Sequence, residues 1–385
     1  MFNNENNTNH GNILLVANYA SDVGYAWWLM ENFWIQIADL FSQQGRKVFL
    51  MYPVVNTVPS EVSKSSIIIV EHDFSDESIY KKKKLKKFIQ DNNIGSIYLT
   101  DKPYFNLLYL LLRIWGVKRI VLHDHMPGER TKVPDYKAII KKIIHTLGIF
   151  SCDYYIGVSR FVYNRFIDTC FIPARKCSYV LNGIKPIIPD AKNAHYANNV
   201  FNIPVGSKII VSTGRSVFYK GIDFIIKCAD TLINGMQRND VFFLHLGDGP
   251  DLPIFKNMVY EYGLESKFVF GGKRDDISAI LQSSHIAIHA SHGEAFSLAI
   301  LEYLSAGLAT IVPDNSGNSE AVEHGINGFL YPTGDISSAT KLLIMLIDDE
   351  TLRLRISEAA KKSVDNKFTL ERMNKDFKEL VCRIL

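Results

Sequence analysis

The sequence predicts an α/β protein of two domains, each a parallel sheet flanked by helices. Three observations carry this. Short β-branched runs alternate with helix-length segments. The alternation occurs twice, on either side of a polar stretch. A chain of 385 residues is also too long for one compact core. In the first half, strands are expected near 13–17, 47–52, 67–70, 97–100, 119–122 and 154–158, separated by long helices. In the second half they fall near 208–213, 241–246, 267–270, 286–289 and 309–312. Between the halves, Asn182-Gly-Ile-Lys-Pro-Ile-Ile-Pro and the polar residues 190–202 have the composition of a linker. The domains are therefore read as 1–190 and 191–368. Beyond about residue 335 the chain reads as helical, with Leu342, Leu343, Leu346 and Ile347 at helix spacing. A last helix over about 369–385 is expected to pack back on the first domain.

Composition narrows the class of function. Apolar residues make up 47% and charged residues 22%, the balance of a soluble globular protein. The polar opening Met1-Phe-Asn-Asn-Glu lacks a secretory pattern, so a cytoplasmic location is expected. The most apolar segment, 104–117, is interrupted by Arg113, is too short to span a bilayer, and reads as a core helix. Five cysteines show no metal-ligand spacing and read as reduced packing residues. A net charge of +3 is too small to argue for a nucleic-acid partner.

The chemistry concentrates at Glu294-Ala-Phe-Ser-Leu-Ala-Ile-Leu-Glu302. Ser297 is a good N-cap ahead of an apolar helix that closes at Gly307. The amides of Phe296, Ser297, Leu298 and Ala299 would then face outward unpaired, a seat for a phosphate oxygen. Glu294 stands just outside that seat. Glu302 is the only charge in its helix, and a buried carboxylate is costly unless paired or hydrogen-bonded. Vicinal hydroxyls such as those of ribose would satisfy it; an Arg partner is the alternative. A second cationic loop follows the strand at 208–213, where Val211-Ser-Thr-Gly-Arg215 leads to Lys220-Gly221 and an amphipathic segment. Ligands of open α/β sheets bind beyond the carboxyl ends of the strands, so the two loops are expected to share a crevice. Arg215 and Lys220 suit a diphosphate, the first as a planar fork and the second as a compact charge.

From Ser207 to Asp335 the chain resembles the sugar-nucleotide-binding domain of the family 4 retaining glycosyltransferases. The resemblance rests on Gly214-Arg215 to Lys220-Gly221, on Gly247-Asp248-Gly249-Pro250, on the spaced pair Glu294 and Glu302, and on Gly317-Asn318-Ser319-Glu320, where one glycine of the family's motif is replaced. Val158-Ser159 and Leu181-Asn182-Gly183 are similar to the family's domain-closing strand and hinge. The resemblance implies the GT-B fold, two Rossmann-like domains with parallel sheets facing across a cleft. It also implies transfer of a hexose-type sugar from a UDP- or GDP-sugar, with retention of configuration, to a glycan or lipid-linked acceptor of a surface polysaccharide. Donor contacts would come from Gly24, Arg215, Lys220, Gly272, Lys273, Phe296, Ser297, Leu298 and Glu302. His123 and Glu294 would serve at the reacting sugar.

The first domain matches more loosely. In Asn18-Tyr-Ala-Ser-Asp-Val-Gly24, Val23 stands where relatives have a paired glycine, and Gly24 reads either as a phosphate-approach residue or as a turn. His123 ends the strand Val121-Leu-His123, and His125 follows. A strand-terminal His reads either as functional or as a structural hydrogen-bonder. A metal held by His123, Asp124 and His125 is a further alternative, though no third-ligand pattern accompanies them. No metal cofactor is expected, because no Asp-x-Asp is present to hold a divalent ion on the diphosphate. The lysine run 81–87 suggests peripheral contact with an anionic membrane at the inner face of the cell, whereas the segment with Lys137, Lys141 and Lys142 among isoleucines reads as an ordinary helix over a core. A GT-B epimerase and a non-catalytic sugar-nucleotide-binding protein remain open alternatives. A nicotinamide enzyme would need a Gly-x-Gly-x-x-Gly turn that the first strand lacks.

Overall fold

The computed structural model describes residues 11–23, 27–76, 78–131 and 133–385. The chain divides into two compact units. The first runs to Met126 and takes in Arg130–Val180 and Asn374–Leu385, and the second comprises Pro127–Glu129 and Leu181–Met373. Among the described residues no helix is long and apolar enough to cross a membrane.

The first unit is built on seven parallel strands: β1 (Asn12–Val16), β2 (Val48–Tyr52), β3 (Ile68–Glu71), β4 (Ile94–Thr100), β5 (Arg119–Asp124), β6 (Tyr154–Gly157) and β7 (Cys177–Tyr179). Their order is β3-β2-β1-β4-β5-β6-β7. The inner strands are largely buried and mostly apolar, as expected when helices cover both faces of a sheet. The helices are α1 (Trp28–Ser42), α2 (Ser60–Ser63), α3 (Ile79–Asp91), α4 (Leu107–Ile114), α5 (Asp135–Leu147) and α6 (Arg160–Asp168).

The second unit has the strands β8 (Lys208–Thr213), β9 (Val241–Leu246), β10 (Phe268–Gly272), β11 (Ile286–Ile288), β12 (Ala309–Pro313) and β13 (Phe329–Tyr331). They are also parallel, in the order β10-β9-β8-β11-β12-β13. Its helices are α7 (Tyr196–Phe201), α8 (Ile222–Asp230), α9 (Leu252–Glu261), α10 (Ile277–Gln282), α11 (Leu298–Ser305), α12 (Ile336–Asp348) and α13 (Glu350–Lys367), and α14 (Leu370–Ile384) only begins in this unit. One face of the sheet packs Ile225, Phe243, Ile288 and Leu343, and the other packs Val211, Leu244 and Tyr303.

The second unit begins at Leu181, ahead of the polar stretch that composition marks as a linker. Residues 182–190 are held there by hydrogen bonds. Asn182 donates to the Phe296 carbonyl at 3.2 Å, the Ile187 amide to Ser305 at 2.7 Å, and the Asp190 amide to Gln282 at 2.7 Å. From Asn374 onward α14 belongs to the first unit. There Asn32 donates to Asn374 at 2.7 Å, and Phe33 and Phe377 lie 4.6 Å apart.

Two helices differ from expectation, and α3 keeps most of its lysines exposed. The segment 104–117 is not a core helix: α4 is short, and Leu107 and Ile114 are exposed. Arg113 reaches back to make a two-pronged pair with Asp153, both contacts at 3.0 Å. The lysines of α3 project from a helix whose Leu85 and Ile89 are buried, with Phe88 against Phe49 at 5.3 Å, an ordinary solvated face. The isoleucines of α5 do the reverse and point outward, so that segment does not cover a core in the ordinary way.

Candidate active site

Glu294, Glu302, Arg215 and Lys220 all lie in the second unit, at the carboxyl ends of its central strands. The Arg215 loop leaves β8 and ends in a 3-10 turn, Phe218–Lys220. Gly221 then takes a left-handed conformation, φ +71°, and a Cβ there would lie 2.2 Å from the Ala290 carbonyl oxygen. Only glycine permits that approach, which sets Lys220 beside the loop after β11. Lys220 Nζ donates to Glu294 Oε1, and His289 Nε2 lies 3.6 Å from the same oxygen. Burial alone would push the Glu294 carboxyl up. Lys220 and His289 outweigh it and hold the group at about 2.

Glu294 is also fixed from below. Its carbonyl accepts the Gly317 amide at 3.0 Å, and a Cβ on Gly317 would collide with the Ala295 carbonyl oxygen at 2.0 Å. The preceding residue, Ser316, sits at φ +43° in the left-handed region that glycine fills without strain. The structure thus keeps the backbone path even where the motif's other glycine is absent.

Ser297 occupies the N-cap of α11 with an extended backbone, φ −76° and ψ 120°, but its hydroxyl makes no capping bond. The expected cap position holds, while the expected side-chain bond does not form. Among the described residues the amides of Ser297, Leu298 and Ala299 donate to no backbone acceptor, as the first turn of a helix requires. Phe296 is buried, its ring 5.7 Å from Phe368 and its carbonyl bound by Asn182, so the peptide rather than the side chain is left for a ligand. Glu302, one turn further on, meets no cation among the described residues, so the expected alternative of an Arg partner is not found. Burial pushes its carboxyl up to about 7. Next to it Tyr303 reaches across to β8, where its hydroxyl accepts the Thr213 amide and lies 2.9 Å from Thr213 Oγ1. That pair of bonds ties the helix bearing Glu302 to the strand that leads to Arg215. The Arg215 side chain is exposed and takes no protein partner among the described residues.

Gly272 ends β10 and Lys273 follows it. The Gly272 carbonyl accepts the Gly247 amide at 2.8 Å, and the Gly214 amide in turn donates to Leu246 at 2.9 Å, so the loops after β8, β9 and β10 form one rim. Lys273 is exposed on it. Arg274 is committed elsewhere, paired with Asp276 and lying over the Phe201 ring at 5.6 Å.

In the first unit His123 is the next-to-last residue of β5 and is completely buried. Its Nδ1 bonds the Tyr98 hydroxyl, and its ring packs on Phe33 at 4.7 Å and on Phe377 at 5.8 Å. Nε2 has no partner. His125 is only partly buried as a residue, its ring 4.1 Å from that of His123 and its Nδ1 also without a partner. Burial holds His125 down at about 3 and His123 well below its ordinary value, so both are neutral. Asp124 does not join them as a metal ligand set. Its oxygens take Arg165 at 2.9 Å, the Met126 amide at 2.8 Å and the Tyr104 hydroxyl. Gly24 lies outside the described residues.

Sequence reading missed His289, Tyr303 and Asp101. Asp101 follows β4 at φ +52° and accepts the His125 amide at 2.6 Å. Burial and the nearby Asp124 raise its carboxyl to about 7. His289 stood at a predicted strand end, a usable signal. Tyr303 read only as one more apolar position of its helix.

Residues 197–363, which carry this site, match the sequence model of the family described as Glycosyl transferases group 1. Over those residues the chain is similar to the group 1 glycosyltransferases. The chain is 24% identical over 303 residues to the N-acetyl-alpha-D-glucosaminyl L-malate synthase of Bacillus anthracis, covering 78% of each chain. It is 26% identical over 215 residues to the Escherichia coli UDP-Gal:alpha-D-GlcNAc-diphosphoundecaprenol alpha-1,3-galactosyltransferase, a match spanning 54% of this chain and 55% of that enzyme. Among solved structures, a Rickettsia africae glycosyltransferase superposes with a TM-score of 0.79 at 19% identity, over 97% of this chain and 98% of the other. Anabaena HepE in complex with UDP superposes with a TM-score of 0.77 at 17% identity, over 97% of this chain and 100% of that one. These likenesses fix the fold as GT-B, two parallel-sheet Rossmann-like domains.

Proposed function

We propose that the chain transfers a hexose-type sugar from a UDP- or GDP-sugar to a glycan or lipid-linked glycan acceptor, in the cytoplasm, during assembly of a bacterial surface polysaccharide. The observation that carries the donor assignment is Glu302. Among the described residues its carboxylate meets no cation and the first amides of its helix donate to no backbone acceptor, an arrangement that suits one ligand with vicinal hydroxyls and a phosphate. A nucleoside diphosphate sugar supplies both. Names of relatives support the class: HepE binds UDP and UDP-glucose, and the Escherichia coli relative uses UDP-Gal with a lipid-linked acceptor.

The reaction follows from where charge develops. As the anomeric bond breaks, negative charge grows on the outer phosphate, and Arg215, Lys220 and the α11 amides stabilise it without a required metal. Gly272, Lys273 and the peptides of Phe296, Ser297 and Leu298 line the remaining donor contacts, and Gly24 is proposed with them. Glu294 stays ionised down to about pH 2, so it can orient sugar hydroxyls and support positive charge at the anomeric carbon. The acceptor oxygen attacks on the leaving-group side, which retains configuration. The His123–His125 pair is proposed for the sugar contact that relatives make with a strand-terminal histidine. The two rings lie 4.1 Å apart, and both would act as neutral hydrogen-bonding groups.

A thermal-shift panel of UDP- and GDP-sugars tests this reading, with Glu302→Ala beside the wild type. One class of nucleotide should raise the melting temperature of the wild type and leave the variant unmoved. Equal shifts in both proteins, or none in either, would remove the donor site from this helix.

A further inference from the structure

Helix α5 is amphipathic the wrong way round for a helix packed on a domain. Its one buried residue is His145, held by the Tyr155 hydroxyl at 3.1 Å, and the His145 carbonyl is held by Lys176 Nζ at 2.6 Å. Ala138, Lys141 and Ile144 are half-buried on that same side. The opposite side carries Tyr136, Ile140, Ile143 and Leu147, which repeat at the spacing of one helix face and are 61%, 52%, 51% and 67% exposed. Ile139 adjoins them. Lys137 and Lys142, both exposed, fall on the two flanks of this stripe, and Asp135 is the only acid of the helix. The surface continues past Gly148 to the exposed Phe150, whose carbonyl accepts the Asn106 amide at 2.8 Å and so brings in Phe105 and Leu107 at the start of α4. Soluble proteins seldom leave a contiguous apolar patch of this kind uncovered.

We propose that this face of α5, with the adjoining start of α4, is the docking surface for an anionic lipid bilayer. Apolar side chains along the middle would enter the acyl boundary while Lys137 and Lys142 on either flank meet the lipid phosphates, the arrangement of an interfacial helix. Charge decides between a membrane and a protein groove: lysines border the stripe on both sides, and the helix is already fixed to its unit by His145, so it need not fold on binding. The lysine-rich α3 does not fill this role, because Leu85 and Ile89 are turned inward and its exposed apolar residues, Ile79 and Tyr80, stand only at its first turn and form no stripe along the helix. This inference does not depend on the sugar-donor reading.

The test is co-sedimentation of the full chain with vesicles of phosphatidylcholine alone or mixed with phosphatidylglycerol. The proteins are wild type, Ile140→Asp/Ile143→Asp, Lys137→Ala/Lys142→Ala, and Lys83→Ala/Lys86→Ala on α3. Wild type should partition to the anionic vesicles only. The isoleucine variant should bind about tenfold more weakly or not at all, and the α5 lysine variant should lose the dependence on lipid charge. The α3 variant should behave as wild type. All the substituted residues are exposed, so unchanged melting temperatures should certify folding. Binding that survives in the isoleucine variant, or binding lost only in the α3 variant, would overturn the proposal. So would an apolar face that instead joins two copies, seen as a dimer in wild type and a monomer in the isoleucine variant, with no vesicle binding in either.

Discussion

Lys220 and Glu294 form an ion pair that the chain could not make without Gly221. The lysine ends its 3-10 turn against Ala290, and the glutamate emerges from the loop after β11 with His289 at its side. In the absence of donor the lysine proposed for the diphosphate neutralises the carboxylate proposed for the sugar. Binding must then share the charge of Lys220 between two anions.

Removing the lysine leaves Glu294 charged and nearly enclosed. Lys220→Ala should cost about 1–3 kcal/mol of stability, less than a fully buried pair because the lysine is partly solvated. Adding Glu294→Gln should restore most of that loss and none of the sugar transfer. Urea unfolding at neutral pH together with initial rates checks both halves. The sign in acid follows from the depressed Glu294 carboxyl: its contribution is present above its ordinary value near 4.5 and is lost as pH falls toward 2. Lys220→Ala should therefore flatten the acid limb of the stability curve.

Glu302 has the opposite sign. Its folded carboxyl is raised to about 7, so the folded state prefers the protonated form, and a penalty grows as pH rises from about 4.5 through 7. Glu302→Gln should be more stable than wild type by about 1–2 kcal/mol above pH 7 and equal to it near pH 4, the figure being reduced for solvent access. Hydroxyls of the donor bind the ionised carboxylate best, so nucleotide affinity of wild type should rise with pH and level off above 7. Calorimetric titrations across that range should show the slope in wild type and none in the variant.

Tyr303→Phe isolates the link between α11 and β8. The hydroxyl's hydrogen bonds to Thr213 are lost while the ring stays packed, a cost of about 1–2 kcal/mol. Because the bond sets the distance between Glu302 and the Arg215 loop, KM for the donor should rise more than kcat falls. Steady-state kinetics with the donor varied will show whether the split is in that direction.

The two histidines of the first unit should separate cleanly. His123→Ala opens a hole among Phe33, Phe377 and Tyr98 and should destabilise by about 2–4 kcal/mol along with any loss of turnover. His125→Ala should lower turnover with little change in stability or nucleotide affinity. Equal stability losses in both, with unchanged turnover per folded molecule, would leave the pair a structural one.

Most strands of both sheets were legible in the sequence because they are continuous apolar runs. The three-residue edge strands β7 and β13 were not, since Cys177–Tyr179 and Phe329–Tyr331 are too short to show a period. The carboxylates and cations of the donor loops stood out because charge is rare in those segments. What spacing could not show is which of them pair with protein: Glu294 does and Glu302 does not. The direction of an amphipathic helix was equally hidden, as α3 and α5 both alternate lysine with apolar residues, and only packing distinguishes an inward stripe from an outward one. Tyr303 was invisible for a related reason, because a phenol counts as apolar until its hydroxyl finds Thr213.

The most direct measurement is a crystal structure of the chain soaked with the sugar nucleotide that gives the largest thermal shift. The account predicts ribose hydroxyls within hydrogen-bonding distance of Glu302 and the diphosphate held by Arg215, Lys220 and the first amides of α11. A nucleotide bound elsewhere, with Glu302 and Arg215 touching no part of it, would contradict the account.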